Sequence, residues 1–393
     1  MSSLDKKYQD AVKAVNDGQL PEAERLFKKV LKTEPNNVAS LGLLAAVLMK
    51  MERHAEAEQY IARAVKLNPE SDAFFYNYGL ISKKLGKPQQ ALEQFNRALD
   101  INAEMPEAWN NRGTVFMDLA QYENAVSDFD QAISLAPNHW WAFSNKARSL
   151  SELRRYDEAL PVFDKAISLR PDFAEDWLGR AHALSRLGRY DDALAAYDRA
   201  LAFKPDLVEA WFGRGNALFD TGRNDEALAN YDRAVALRPN FAEGWLGRGN
   251  ALYYLKRHDE ALDACDRALA LDPDLAAGWL AGGNAFSGLK RYDHALAAYD
   301  KALALSPDMT EAWFGRSSVL CELQCYEEAL AACDKVLAAR PDLAEAWLVS
   351  GNALAAQARH DEALASYDKA LALKPQLAGA ETGRLHARAQ LGG

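Results

Sequence analysis

The chain is poor in cysteine, with four in 393 residues. That number cannot make a disulfide framework in a chain of this length, and a reducing cytoplasm is the compartment it implies. Long apolar runs are also missing: nothing approaches the roughly eighteen consecutive apolar residues of a membrane span. The opening MSSLDKKYQDAVKAVNDG lacks the apolar core and cleavage site of a secretory signal. Positive charge is in deficit, because 46 Lys and Arg against 56 Asp and Glu give a formal charge of -10. A basic footprint is what nucleic acid requires, so the charge disfavours it as the main partner while leaving room for a local basic patch. What the chain does have is apolar content, 49% against 26% charged, which excludes a disordered polymer.

Proline supplies the organising signal. Pro35 and Pro69 are followed at the same interval of 34 by Pro137, Pro171, Pro205, Pro239, Pro273, Pro307, Pro341 and Pro375. The one gap is Ala103, where the sequence reads INAEMPEAW. With this proline at frame position 32, the chain falls into eleven units starting at 4, 38, 72, 106, 140, 174, 208, 242, 276, 310 and 344. The last unit ends at Leu377, and residues 378–393 remain as a tail able to form one more amphipathic helix.

The columns of the frame describe two packed helices per unit. Position 4 is Trp109, Trp177, Trp211, Trp245, Trp279, Trp313 and Trp347, with Phe75 and Phe143 as variants. Position 8 is small (Gly79, Gly113, Gly215, Gly249, Gly283, Gly351), position 20 is alanine from Ala23 to Ala363, and position 24 is mostly aromatic. Small residues let backbones approach and the rings fill the space beside them. In the seventh unit the spacing predicts a first helix from Val208 to about Thr221 and a break at Gly222-Arg223-Asn224. Asp225 is then expected to cap the second helix, Pro239 to end it, and Asn240 to cap the next one.

These columns, Trp with a small residue four later, then Tyr, Ala, Phe or Tyr, Ala and Pro, resemble the tetratricopeptide repeat. The likeness extends over all eleven units. It implies an all-α fold, an α-solenoid of eleven helix-turn-helix units wound as a right-handed superhelix, with first helices lining a concave face and a C-terminal capping helix over residues 378–393.

The repeat decides how candidate motifs are read. WFGRGNAL, Trp211 to Leu218, holds a Gly-x-Gly of the kind that cradles phosphate, but that chemistry needs a strand, a tight turn and a helix N-terminus. Here the phrase lies within a helix and recurs as WLGRGNAL, WLAGGNAF and WLVSGNAL. Gly215 is expected to serve packing against Trp211, one turn earlier. His54, His258 and His360 share the turn column occupied elsewhere by tyrosine, and Cys321 and Cys325 have no accompanying ligand pair, so neither set reads as a zinc site. No nucleophile-base pairing stands out. The reading is a chain with no active site, no metal and no cofactor.

Advancing about 100° per residue from position 4 places positions 12, 5, 9 and 2 on one flank of the first helix. The resemblance implies that this flank faces the concave groove. Position 9 reads Asn216, Asn250, Asn284, Ser318 and Asn352, and position 5 reads Leu178, Phe212, Leu246, Leu280, Phe314 and Leu348. Earlier units carry Asn77, Asn111 and Asn145 at position 6, with Asn110 beside one of them. Amides can donate to and accept from an extended backbone, and an apolar stripe can supply pockets. Asn77, Asn110, Asn111, Asn145, Leu178, Phe212, Asn216, Leu246, Asn250, Leu280, Asn284, Phe314 and Asn352 are therefore candidate peptide contacts. The competing reading has the leucines packing on the next unit and the asparagines bonding within a turn. Glutamates at position 2 would favour basic segments, and the arginines at position 7 (Arg112, Arg180, Arg214, Arg248, Arg316) are expected to pair with aspartates at position 25.

Function follows as a set of alternatives. The first is a non-catalytic interaction scaffold that binds an extended segment of another protein. The second rests on the phrases PEAWNNRG, AWFGRGNAL and GRLHARAQL, which are similar to the recognition arm of O-linked N-acetylglucosamine transferases and bacterial SPINDLY-type proteins; the catalytic half is absent. The third is self-association into a homo-oligomer through groove or ends. A chaperone-type carboxylate clamp is disfavoured, because each asparagine at position 9 accompanies Leu or Phe at position 5 instead of lysine.

Overall fold

The structure is a computed structural model describing residues 3–392. Those residues form twenty-three α-helices and no strand, an all-α solenoid of tandem helix pairs. They divide into two compact units, one up to Phe203 and one from Lys204. Within each, the two helices of a repeat pack on one another and the second packs on the first helix of the next repeat.

The seventh repeat shows how the sequence makes this shape. Its first helix is Val208–Asp220 and its second is Asn224–Leu237. Between them Gly222 has φ +77°, the left-handed conformation that ends a helix without a Cβ penalty. All eleven repeats place a left-handed residue at this frame position, and seven are not glycine: Glu52, Ala120, Arg154, Lys256, Lys290, Gln324 and Ala358. Lys256→Gly should therefore raise stability by up to about 1 kcal/mol, read as a higher urea midpoint.

The expected caps are corrected. Asp225 lies in the first turn of its helix, and the cap position belongs to Arg223, which forms no side-chain cap bond. Asn240 is likewise displaced, since Phe241 precedes the helix Ala242–Tyr254. The acids act instead in two ways. In the first turn they complement the helix dipole, and Glu226 clasps the guanidinium of Arg223 at 2.7 Å across the turn. The same clasp recurs at Arg155–Glu158, Arg257–Glu260 and Arg359–Glu362.

The core follows the columns. Every position-20 alanine from Ala23 to Ala363 is fully buried, as are the position-24 rings Phe27, Phe95, Phe129 and Phe163. The neighbour of each position-8 glycine, however, is the position-24 side chain and not the tryptophan: a ring at Gly79, Gly113, Gly215, Gly283 and Gly351, and the Cys265 sulfur at Gly249. A Cβ on Gly215 would lie 2.8 Å from Cε1 of Tyr231. The tryptophans are only half-buried, and they tie repeats together: Trp245 Nε1 donates to the Pro239 carbonyl at 2.9 Å. The same bond joins Trp177, Trp211, Trp279, Trp313 and Trp347 to the proline carbonyl six residues earlier. In the exceptional repeat, Trp109 makes it to Ala103. The proline at this position thus ends one helix and offers an acceptor to the next.

The position-7 cations form an inter-repeat ladder. Arg180 reaches Asp164 at 2.7 Å, Arg248 reaches Asp232 at 2.7 Å, and Arg316 reaches Asp300 at 2.8 Å, in each case the position-25 aspartate of the preceding repeat. Arg384 in the last helix repeats the pattern with Asp368 at 3.5 Å. Arg112 differs because Asn96 stands at that site; it accepts only one bond, and the guanidinium turns to the buried Asp128 with two. Burial raises the Asp128 carboxyl while Arg112 opposes it.

Candidate functional site

The predicted flank lines a recess in the unit from Lys204 onward. It has a volume of about 510 Å³ and is bordered by Tyr253 and Ser287 from position 12, Leu280 and Phe314 from position 5, and Asn284 and Ser318 from position 9. Glu311 and Glu345, from position 2, stand at its edge. Helical periodicity brings these four columns to one surface because they share about 80° of arc.

Of the thirteen candidate residues, Leu280, Asn284 and Phe314 meet in this recess. Phe212 is engaged with other rings, 4.9 Å from Phe241 and 5.9 Å from Tyr231 between centroids. Leu246, Asn216 and Asn250 are half-buried, and Asn352 is exposed. The remaining five belong to the unit ending at Phe203. There Leu178 and Asn77 are half-buried, whereas Asn110 is 7% exposed and its Oδ1 accepts from Asn145 at 3.3 Å. Asn111 donates to the Tyr76 hydroxyl at 3.1 Å and the Glu107 carbonyl at 2.8 Å.

The position-9 asparagines have a structural tether that the sequence did not reveal. Asn216, Asn284 and Asn352 each accept through Oδ1 from a position-24 hydroxyl: Tyr231 at 2.7 Å, Tyr299 at 2.9 Å and Tyr367 at 2.9 Å. This bond holds the amide through Oδ1 and does not use the Nδ2 hydrogens. Burial raises the pKa of all three phenols, so they stay protonated donors. Asn250 lacks the tether because Cys265 replaces the tyrosine in its repeat.

Charge on the flank is largely spent. Lys374 lies 2.8 Å from Glu345 and holds its carboxyl below the ordinary range, and Arg340 stands 4.0 Å from Glu311. These glutamates close their own repeats, so the expected bias toward basic segments is weak. The recess gains instead the exposed Tyr254 and, from the inter-repeat loop, Leu343. A first-helix wheel does not contain loop residues, but the Tyr253-Tyr254 pair was visible as an aromatic excess at positions 12 and 13.

Three of the four cysteines are held as neutral thiols. Burial pushes the thiols of Cys265 and Cys321 up to about 12 and that of Cys333 to about 11, far from the thiolate that a nucleophile needs. Among the described residues no group of three His, Cys, Asp or Glu converges as a metal site would, and no helix is long and apolar enough to cross a membrane.

The arrangement of helix pairs, tryptophan clasps and glycine-seated rings defines a helical repeat protein of the 34-residue class. Tetratricopeptide-repeat family models match residues 14–75, 73–105, 106–139, 142–173 and 181–222, and then 212–276, 280–344 and 326–378. The chain belongs to the tetratricopeptide-repeat proteins. No curated protein matches it by sequence. Among solved structures, the Cut9 and Hcn1 hetero-tetramer of APC/C is similar at 15% identity and a TM-score of 0.55, covering 98% of this chain and 96% of that one. A tetratricopeptide repeat protein from Parabacteroides merdae ATCC 43184 aligns at 22% identity and a TM-score of 0.47, over 64% of this chain and 99% of that one. YrrB, described as a TPR protein with an unusual peptide-binding site, aligns at 21% and 0.42 over 46% and 92%. At these identities the likeness is one of fold.

Proposed function

We propose that this chain is a non-catalytic interaction scaffold that holds an extended segment of a partner protein against the flank of its eighth to eleventh repeats. The observation that carries the reading is the recess itself. Its apolar floor, Leu280 and Phe314, lies beside an amide, Asn284, whose Oδ1 is held by Tyr299. Apolar side chains of a strand-like segment alternate with backbone carbonyls, and this surface offers pockets to the first and N–H donors to the second. The readings as a glycosyltransferase recognition arm and as a self-assembling scaffold have no structural observation in their favour.

The test is selection from a displayed library of random peptides on the full chain, followed by affinity measurement on the selected peptides. Phe314→Ala and Leu280→Ala should each weaken binding about tenfold, equivalent to about 1.4 kcal/mol. Asn250 lies outside the recess on the same column of the eighth repeat, and Asn250→Ala, which strands no tyrosine hydroxyl, reads whether the bound segment extends along the flank. Asn284→Ala would also leave Tyr299 without its acceptor and mix a stability loss into the result. Absence of any enriched peptide, or affinity unmoved by both apolar variants, would overturn the reading.

A further inference from the structure

The unit ending at Phe203 has a recess of its own on the corresponding face, and its chemistry is different. It has a volume of about 710 Å³ and lies among the second, third and fourth repeats, where Lys50, Lys83 and Lys84 converge with Asn111, Glu52 and Asp118. The three lysines stand at the ends of two successive first helices, Val38–Lys50 and Asp72–Lys84. Three ammonium groups against two carboxylates leave an excess of one positive charge, in a chain whose formal charge is -10.

We propose that this recess docks an acidic segment of a partner protein, with aspartate or glutamate carboxylates meeting Lys50, Lys83 and Lys84 while the segment's backbone donates to Asn111. This site is separate from the recess of the eighth to eleventh repeats and extends the scaffold reading with a partner chemistry.

Lys83 is the central observation. It is half-buried, and its ammonium donates to the Thr114 hydroxyl, while its carboxylate neighbour Asp118 is 4.0 Å away. Desolvation lowers its pKa and Asp118 only partly opposes this, so the charge is under-compensated where it sits. An incoming carboxylate supplies the missing counter-charge in a place shielded from water, where the attraction is stronger than at an open surface. Lys50 and Lys84 are exposed and supply the longer-range attraction.

Asn111 selects a polypeptide over a bare anion. Both hydrogens of its amide are engaged, by Tyr76 and by the Glu107 carbonyl. It therefore presents Oδ1, an acceptor, which suits a backbone N–H and repels a phosphate oxygen. The overall negative charge also opposes nucleic acid.

The experiment is fluorescence anisotropy on the full chain with labelled hexaglutamate, hexalysine, hexaglutamine and oligothymidylate. Hexaglutamate should bind best, and binding should weaken as salt is raised. The double variant Lys50→Gln with Lys84→Gln should lose about tenfold in affinity. Asp118→Asn, which removes a competing carboxylate, should gain severalfold. A role confined to complementing helix dipoles would lower the melting temperature and leave both affinities alone. Hexalysine or oligothymidylate binding as tightly as hexaglutamate, or an unchanged double variant, would overturn the proposal. Phe314→Ala should leave hexaglutamate binding untouched, so failure of the apolar recess and failure of this one are read separately.

Discussion

Gly315→Val is expected to destabilise the second unit by about 3 kcal/mol, the upper part of the range for forcing bulk into a filled core. Tyr299 is clamped between two glycines. A Cβ on Gly283, in its own repeat, would lie 2.6 Å from the ring, and one on Gly315, in the next repeat, would lie 2.5 Å from Cζ and 2.8 Å from the hydroxyl oxygen. The ring cannot retreat, because its hydroxyl is bonded to Asn284 and the ring is 2% exposed. The gain in helix propensity from replacing glycine is only a few tenths of a kcal/mol and does not offset the overlap.

The next repeat shows how to reverse the loss. There Cys333 stands at position 24, Ser317 at position 8 and Val349 at position 6 of the following repeat. A smaller residue at the centre is matched by larger ones on both sides, so the volume is conserved. Combining Gly283→Ser, Tyr299→Cys and Gly315→Val should recover most of the lost stability. Repeat arrays can open locally, so the measurement is hydrogen exchange in the helices Ala276–Gly288 and Thr310–Glu322 alongside urea denaturation. A triple variant no more stable than Gly315→Val alone would refute the volume argument.

That exchange of partners also marks the boundary of what the sequence made legible. Period, helix order and the buried columns were open to inspection, because a 34-residue interval repeats the same packing problem eleven times. Which residues meet across it was less open. Spacing alone pairs Trp211 with Gly215, because the two are one turn apart on a helix. The structure instead seats Tyr231 there, since the second helix lies over the glycine and the indole is drawn to the Pro205 carbonyl. Sequence separation shows neighbours on one helix face; it does not show which helix faces it. The amides divide in the same way. Asn284 stands on the recess as its angle required. Asn110, one residue before Asn111, is buried and bonded to Asn145. Arg248 found an aspartate at position 25, but in the preceding repeat, an offset that only the stacking of repeats determines.

Asp176 is the residue no column foretold, and it carries the second large effect. It occupies position 3 of the sixth repeat, where Ala108, Ala142, Ala210, Ala312 and Ala346 stand in others, all of them fully buried. Asp176 is fully buried too; Oδ1 accepts from the Ser144 hydroxyl and Oδ2 has no hydrogen-bond partner. Burial pushes its carboxyl up to about 6 from 3.8; the Ser144 bond and the more distant Arg148 and Arg170 oppose this, and Glu175 adds to it. The folded state thus holds this proton more tightly than the unfolded chain. Between pH 3.8 and about 6 the folded state carries the extra proton, so stability falls as pH rises through that window and stays low above it. The shift corresponds to a penalty on the order of 3 kcal/mol at neutral pH, absent at about pH 3.5. Asp176→Ala installs the residue the other repeats use. It removes the penalty and strands the Ser144 hydroxyl at a cost of about 1 kcal/mol, for a net gain of about 2 kcal/mol at about pH 7.5. At about pH 3.5 the ordering should reverse, with the natural protein the more stable by about 1 kcal/mol. Urea denaturation of both chains across this range is the measurement, since all other titrating groups are common to the two. A difference between them that does not change with pH would show that the buried carboxyl is not the cause.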